Sequence, residues 1–240
     1  MNVVWLDRID STNSEALRRL PELVSGTVLA AREQTAGRGQ RGNVWFTEPG
    51  KNLTFSIVLK DLPLEASDSI CLNYLSSVAL VDFLDSKGVK ADIKWPNDIY
   101  SGGRKLCGIL IENTLGPDGR LAASVVGIGL NINQKDFPQL ANATSLALCT
   151  GSDYALEPVL EEFLAVFDGL LPRLLESSLQ ASYTARLFRR GVSARYHDLL
   201  RDEEFTGVLE GVEADGRLCI RDTANGQLRL YRFKEVGYIL

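Results

Sequence analysis

Apolar residues alternate with polar ones, or run together, in several short segments of the first 188 positions. Leu53, Phe55, Ile57 and Leu59 occupy every second position, so this strand is expected to be half-buried, with its other face exposed. Further strands are expected at residues 3–6, 27–32, 106–112 and 121–131. The last two are joined by a Gly-Pro-Asp-Gly turn, which is typical of a connection between adjacent strands.

Other segments have helical spacing. One apolar face predicts a helix between residues 68 and 88, ended by Gly88, and its members are Leu72, Leu75, Ala79 and Phe83. A second long helix is expected over residues 158–175. A shorter helix is expected from Thr12 to about Leu20, with Thr12 as its N-cap and Glu15 reaching back in a capping box.

The pattern changes near residue 189. From there on the chain has short alternating segments separated by Asp215-Gly216 and Asn225-Gly226, both good hairpin turns. Some fifty residues of this kind predict a small β-barrel or sandwich. We therefore expect an α+β fold with two domains: a mixed sheet with flanking helices over residues 1–188, then an all-β domain over residues 189–240.

Composition narrows the possible functions. The 240 residues include 26 Lys and Arg against 31 Asp and Glu, and the net charge of −5 argues against a dedicated nucleic-acid-binding protein. A single histidine, His197, excludes zinc sites built from several histidines. Four scattered cysteines without a CxxC pair, no signal peptide and no membrane-length apolar run predict a cytoplasmic protein.

The segment from Gly37 to Gly42, Gly-Arg-Gly-Gln-Arg-Gly, formally matches the dinucleotide-binding pattern GxGxxG. A strand and not a helix follows it, so no helix N-terminus would face a pyrophosphate, and we reject that function. Its glycines allow close approach to a ligand, and Arg38 and Arg41 can pair with phosphate or carboxylate. Taken alone, the segment is at least as typical of a solvated surface loop.

Three further motifs have both a chemical and a structural interpretation. Lys94-Trp95-Pro96-Asn97-Asp98 offers cations and oxygens at a stiff turn, or is plain turn chemistry beside a core tryptophan. Lys105, at the start of an apolar strand, can face an anion or extend harmlessly to solvent. Gly127-Ile128-Gly129-Leu130-Asn131 allows close approach to a ligand, or is a β-bulge followed by a turn.

The order of these motifs decides between the interpretations. Along nearly the whole chain, their succession strongly resembles the biotin protein ligases, which also carry a small SH3-like β domain at the C-terminus. The most specific runs are Lys94-Trp95-Pro96-Asn97-Asp98 and Arg104-Lys105-Leu106-Cys107-Gly108-Ile109-Leu110. The resemblance implies the class II synthetase-like fold shared by biotin and lipoate ligases.

The resemblance also implies a two-step reaction. The carboxylate of biotin attacks the α-phosphate of MgATP to form biotinyl-5′-AMP, and a lysine of a biotin carboxyl carrier domain then displaces AMP. Both steps develop negative charge on phosphate oxygens, for which preorganised cations are the expected device. Neither DNA nor a membrane is expected as a partner.

Site residues carry over position by position. The resemblance assigns catalysis to Lys105 and Arg38, and implies that Asp98 is a Mg²⁺ ligand. The residues expected around biotin and the adenylate are Ser11, Thr12, Asn13, Gln34, Gly37, Arg38, Gly39, Gln40, Lys105 and Gly108. Those expected around ATP are Arg41, Trp45, Lys94, Asn97 and Asn131.

Two departures from the family pattern stand out. Gln40 replaces a second arginine of the glycine loop, so the acyl-adenylate is expected to be held less tightly unless Arg41 substitutes. No winged-helix domain precedes Ser11, so repressor activity is not expected. The alternatives are a lipoate or octanoyl ligase or transferase of the same fold and a non-catalytic biotin sensor, and the protein is expected to be a monomer or a homodimer.

Overall fold

Two β-sheets organise the chain in the computed structural model, which describes residues 1–140 and 142–239, with the backbone alone for Arg41. The larger sheet has seven strands in the order β1-β2-β3-β7-β6-β5-β4, and the β1–β2 pair is parallel while the others are antiparallel. Its strands are β1 (Asn2–Ile9), β2 (Thr27–Gln34), β3 (Leu53–Lys60), β4 (Asp92–Lys94), β5 (Asp98–Ser101), β6 (Arg104–Leu115) and β7 (Leu121–Leu130).

Five α-helices accompany this sheet in the described part of the chain: α1 (Thr12–Arg18), α2 (Ile70–Ser86), α3 (Leu146–Thr150), α4 (Leu156–Leu170) and α5 (Ser177–Ala185). Helix α2 packs on the sheet and is itself covered by α4 and α5. The Phe163 ring lies 5.5 Å from Phe55 of β3 and 6.0 Å from Phe83 of α2, so aromatic contacts join the three layers. None of the described helices is both long and apolar enough to cross a membrane.

The smaller sheet is antiparallel and has the order β11-β10-β9-β8-β12. Its strands are β8 (Ser193–Asp198), β9 (Glu203–Val212), β10 (Leu218–Asp222), β11 (Leu228–Tyr231) and β12 (Val236–Tyr238). Gly216 and Gly226 have positive φ angles in the two predicted hairpin turns. Over residues 1–140 and 142–239 no pairing joins the edge strands β11 and β12, so the expected barrel is open.

The α+β class predicted from the sequence is confirmed, with the two sheets on either side of residue 189. The domain boundary at 188/189 itself stays a prediction, since one hydrophobic core runs through both parts and includes Trp95, Tyr183 and Leu218. The indole N–H of Trp95 donates to the Gly216 carbonyl at 3.1 Å, which ties the small sheet directly to the motif at residues 94–98.

Two local predictions were wrong, and for the same reason. Strand β3 was expected to be half-buried, yet both of its faces are buried, because α1 covers the face with Thr54 and Ser56. Helix α1 is capped by Ser11 and not by Thr12, and the Ser11 side chain accepts from the N–H of Ser14. The Thr12 hydroxyl instead takes part in buried contacts with the sheet.

Candidate functional site

A cleft opens where the N-terminus of α1 and the loop after β2 approach strands β5, β6 and β7. Most of the residues predicted to bind ligand line it. They are Ser11, Thr12, Asn13, Gln34, Arg38, Gly39, Gln40, Trp45, Asn97, Asp98, Lys105 and Gly108. Residues from five separate segments of the chain therefore meet at one place.

One wall of the cleft is a chain of polar contacts. The Gln34 side-chain oxygen accepts from the backbone N–H of Thr12 at 2.8 Å and lies 3.2 Å from its hydroxyl. The Ser56 hydroxyl contacts the Thr12 hydroxyl at 2.8 Å and donates to the Asn13 side-chain oxygen at 2.6 Å. Thr12, Asn13 and Ser56 are buried, so these groups are held in fixed positions.

The floor of the cleft is made of glycines. A Cβ atom at Gly127 would lie 2.2 Å from the Asn13 side-chain oxygen, and one at Gly129 would lie 2.3 Å from the Trp45 ring. A Cβ atom at Gly108 would lie 3.0 Å from the same ring. The absence of side chains at these three glycines of β6 and β7 thus makes room for the side chains of Asn13 and Trp45, which enter from outside the sheet.

The glycine loop folds into a hairpin over residues 37–45. The Trp45 N–H donates to the Gly37 carbonyl at 2.9 Å, and the Gly39 N–H donates to the Asn43 carbonyl at 2.7 Å. The Arg38 guanidinium pairs with both carboxylate oxygens of Glu112 on β6, at 3.0 and 2.8 Å. The predicted side chain of Arg41 lies outside the described residues.

Opposite the hairpin, the Lys105 ammonium lies 2.7 Å from the Asp98 carboxylate and 5.5 Å from the centre of the Trp45 ring. Both charged side chains are about one-fifth exposed. Because they stand on the paired strands β6 and β5, their positions are set by the ladder of the sheet. The predicted Asn97 amide is used structurally and donates to the Ile109 carbonyl at 2.6 Å.

The turn that carries Asn97 and Asp98 is fixed from behind by two helices. The Pro96 carbonyl accepts from the Asn73 amide of α2 at 2.5 Å and from the Tyr183 hydroxyl of α5 at 2.7 Å. The packing of α2 and α5 therefore fixes one side of the cleft through the Pro96 carbonyl oxygen.

A second cavity adjoins the cleft and reaches the smaller sheet. It is lined by Asp98 and Lys105 together with Lys94, Lys234 and Tyr238. The Lys94 ammonium lies 3.1 Å from the Tyr100 hydroxyl and 5.4 Å from the centre of the Tyr238 ring. Burial lowers the pKa of Lys94, and burial raises the pKa of Tyr100 to about 12.

A third cavity lies on the far side of Trp45. Its lining includes Asn131 and Lys105 and the apolar side chains of Phe46, Phe137 and Leu140. The Asn131 amide donates to the Thr144 carbonyl at 3.0 Å, so this side chain also holds the chain segment after β7. An aromatic ring, apolar side chains and a lysine together suit a flat ligand joined to an anionic group.

Sequence reasoning gave no role to Ser56 or Glu112, and it named neither Lys234 nor Tyr238 of the C-terminal β region. Ser56 had a signal, since it alternates with Phe55 and Ile57 on a strand whose polar face was assumed to be solvated. Glu112 ends the family run that begins at Arg104, but no pattern along the chain gave it a partner or a role. Over residues 1–140 and 142–239 there is no cluster of three or more metal-binding side chains.

Known proteins resemble this chain throughout. The model of the biotin/lipoate A/B protein ligase family matches residues 5–131. The bifunctional ligase/repressor BirA of Bacillus subtilis is 38% identical over 96% of this chain and 72% of its own. The biotin–[acetyl-CoA-carboxylase] ligase of Paracoccus denitrificans is 33% identical over 93% of this chain and 95% of its own.

Among solved structures, the biotin protein ligase of Aquifex aeolicus in complex with biotin and ATP superposes with a TM-score of 0.77. The two are 27% identical, over 98% of this chain and 97% of the other. With a family model that spans more than half of the sequence and relatives of this similarity, the chain belongs to the biotin/lipoate A/B protein ligase family.

Proposed function

We propose that this protein activates biotin with ATP, forming biotinyl-5′-AMP and pyrophosphate, and then transfers biotin to a lysine of a biotin carboxyl carrier domain. The observation that carries the proposal is the cleft itself. Its buried polar wall leads along a glycine floor to Lys105, and an aromatic cavity adjoins it at Trp45. A ligand with a polar ring, an apolar chain and a terminal carboxylate fits that sequence of surfaces.

The polar wall suits the ureido ring of biotin. Thr12, Asn13, Gln34 and Ser56 supply donors and acceptors whose orientations are set by one another. A ring with two N–H groups and a carbonyl can add hydrogen bonds to the donors and acceptors that remain in such a set, whereas a dithiolane ring offers it no hydrogen-bonding partner. This is the reason to favour biotin over lipoate, the alternative substrate within the same family.

The first chemical step is assigned to Lys105. A carboxylate oxygen of biotin attacks the α-phosphorus, the bond from phosphorus to the β-phosphate oxygen breaks, and pyrophosphate leaves. Negative charge grows on the α-phosphate oxygens, and the Lys105 ammonium would stabilise it. Lys105 is paired with Asp98, so the same ammonium can exchange one anion for another without crossing the cleft.

Magnesium enters as part of the MgATP substrate. Asp98 is the one carboxylate among the lining residues of the three cavities in the described chain. Mg²⁺ typically takes one or two protein carboxylates and completes its shell with phosphate oxygens and water, so a single Asp98 fits a substrate-borne ion. Lys94 and Lys234 line the same cavity and are the groups available to the outgoing pyrophosphate.

The adenine ring is assigned to the third cavity, where Trp45 provides a flat face and Asn131 lies close by. In the second step the amine of the carrier lysine attacks the acyl carbon, the bond to the AMP oxygen breaks, and AMP leaves. The carrier domain is the proposed partner. The cytoplasm is the proposed location, in keeping with four cysteines that form no disulfide.

Biotin-dependent exchange of pyrophosphate into ATP tests the first step. Exchange with biotin and none with lipoate or octanoate is expected, and exchange with lipoate alone would overturn the choice of substrate. A thermal shift gives an independent reading, because biotin with ATP should raise the melting temperature by mass action while lipoate with ATP should not. A thermal shift with biotin but no exchange would favour the non-catalytic biotin sensor.

A further inference from the structure

Glu112 does not line the cleft. Its carboxylate nevertheless contacts two elements that form the cleft, the N-terminus of α1 and the hairpin of residues 37–45. One carboxylate oxygen accepts from Arg38 at 3.0 Å and from the Asn13 amide at 2.9 Å, while the other accepts from Arg38 at 2.8 Å. We propose that Glu112 is a positioning residue, which holds the hairpin of residues 37–45 closed over the cleft through Arg38.

An exposed ion pair by itself would contribute little. The Arg38 side chain is 44% exposed, but that of Glu112 is only 24% exposed and is fixed from its other side. Asn13 is buried, and its amide also donates to the Leu110 carbonyl at 3.1 Å. Glu112 is therefore a prepositioned acceptor, so Arg38 alone has to lose side-chain freedom when the bidentate pair forms.

Glu112 also completes a continuous polar path. The contacts run from Gln34 to Thr12, Ser56, Asn13 and Glu112, and end at Arg38 on the hairpin. Any ligand that pairs with the polar wall at Thr12 or Asn13 acts on groups that share partners with Glu112. The ligand and the hairpin are thereby coupled through a set of hydrogen bonds that are mutually strengthening.

The geometry also fixes the role of Arg38. Both terminal nitrogens of its guanidinium are directed to Glu112, and one lies 3.4 Å from the Ser14 hydroxyl. Arg38 then acts on substrate through the position of the hairpin backbone. The charge stabilisation in the reaction falls to Lys105. This inference rests on the proposed function only for its kinetic consequences, because hairpin closure is measurable without any substrate.

Glu112→Gln is the test, since glutamine keeps the shape and can still accept from Asn13 while the charge is lost. Trypsin cleaves after Arg38 and Arg41, so opening of the hairpin in the ligand-free protein is read as the rate of cleavage there, followed by mass spectrometry. We expect roughly a five- to tenfold faster cleavage in Glu112→Gln, in line with the loss of a charge-assisted bidentate contact. Glu65→Gln is the matched control, because Glu65 pairs with Arg120 in an exposed ion pair outside the site.

Kinetics separate positioning from catalysis. In Glu112→Gln the KM for biotin should rise by about the same factor as the cleavage rate, with a smaller change in kcat, because the contact is lost equally in ground and transition states. Wild-type cleavage of Glu112→Gln would overturn the inference, whether or not the protein proves to use biotin, and so would a fall in kcat alone.

Discussion

The two sides of the cleft are built differently. On one side Lys105 and Asp98 stand on paired strands, and the turn beside them is fixed by α2 and α5 through the Pro96 carbonyl. On the other side the hairpin of residues 37–45 is held by its own backbone, by the Arg38 pair with Glu112 and by Trp45. The groups proposed to stabilise a transition state stand on the first of these, the rigid side, and the groups proposed to admit and retain ligand stand on the second, the hairpin side.

Loss of the Lys105 cation from the rigid side should have the largest effect on activity. Lys105→Ala is expected to lower biotin-dependent pyrophosphate exchange by about 100-fold or more, as loss of one preorganised charge typically does. The melting temperature should stay close to that of wild type, because Lys105 is partly exposed at the start of β6. If pyrophosphate exchange survives this substitution, another residue must supply the catalytic positive charge.

A substitution in the glycine floor should have the next largest effect. In Gly129→Ala the new Cβ would lie 2.3 Å from the Trp45 ring, so the indole must shift. Overpacking of this kind costs about 1–3 kcal/mol. If the displaced indole passes that whole cost on to nucleotide binding, the KM for ATP rises roughly five- to 150-fold.

Gly169→Ala is the control for that substitution, because a Cβ at Gly169 meets nothing within 4 Å in helix α4. It should leave the KM for ATP unchanged and stabilise the helix slightly. Equal KM values for ATP in the two variants would mean that Trp45 does not contact the nucleotide.

The Lys94 ammonium lies near Tyr100 on the rigid side and near Tyr238 of the smaller sheet. Its substitution tests whether this cation stabilises the fold or acts on the ligand. Since burial lowers the pKa of Lys94, folding disfavours its charge, and Lys94→Met should leave the melting temperature unchanged or raised. The KM for ATP should nevertheless rise about tenfold if the ammonium meets phosphate. Lys87→Met is the control for the KM alone, since the Lys87 ammonium also lies near an aromatic ring, at 5.7 Å from the centre of Phe83, but is paired with Glu162.

The hairpin side gives the smallest expected effect. Gln40→Arg restores the second arginine of the family loop, and an added exposed charge pair typically contributes about 0.2–1 kcal/mol. The half-life of bound biotinyl-5′-AMP should therefore lengthen by roughly 1.4- to fivefold, measured by release into a chase of unlabelled biotin and ATP. Equal half-lives would show that the hairpin retains the intermediate without this charge.

Local patterns were enough to predict the α+β class, the long helices and the hairpin turns at Gly216 and Gly226, because each depends on residues close in sequence. The order of motifs was enough to suggest which residues would line the cleft. It could not show that α1 covers β3, nor that Ser11 replaces Thr12 as the cap, because both follow from packing between distant segments.

The same limit applies to the site. Glu112 is 74 residues from Arg38 in sequence, and no pattern along the chain pairs them. The roles assigned to Lys105, Arg38 and the other site residues stay predictions until the variants above are measured. The structure adds the hydrogen-bonding and ion-pair partners of each of these residues.

The glycine floor also sets how this cleft can be re-engineered. The space that side chains at positions 127 and 129 would occupy is already filled by Asn13 and Trp45. A library that varies either glycine alone will therefore sample mostly damaged proteins, whereas one that varies each glycine together with its intruding partner can reach new pocket shapes. Selection for a bulkier biotin analogue would have to change such residues in pairs.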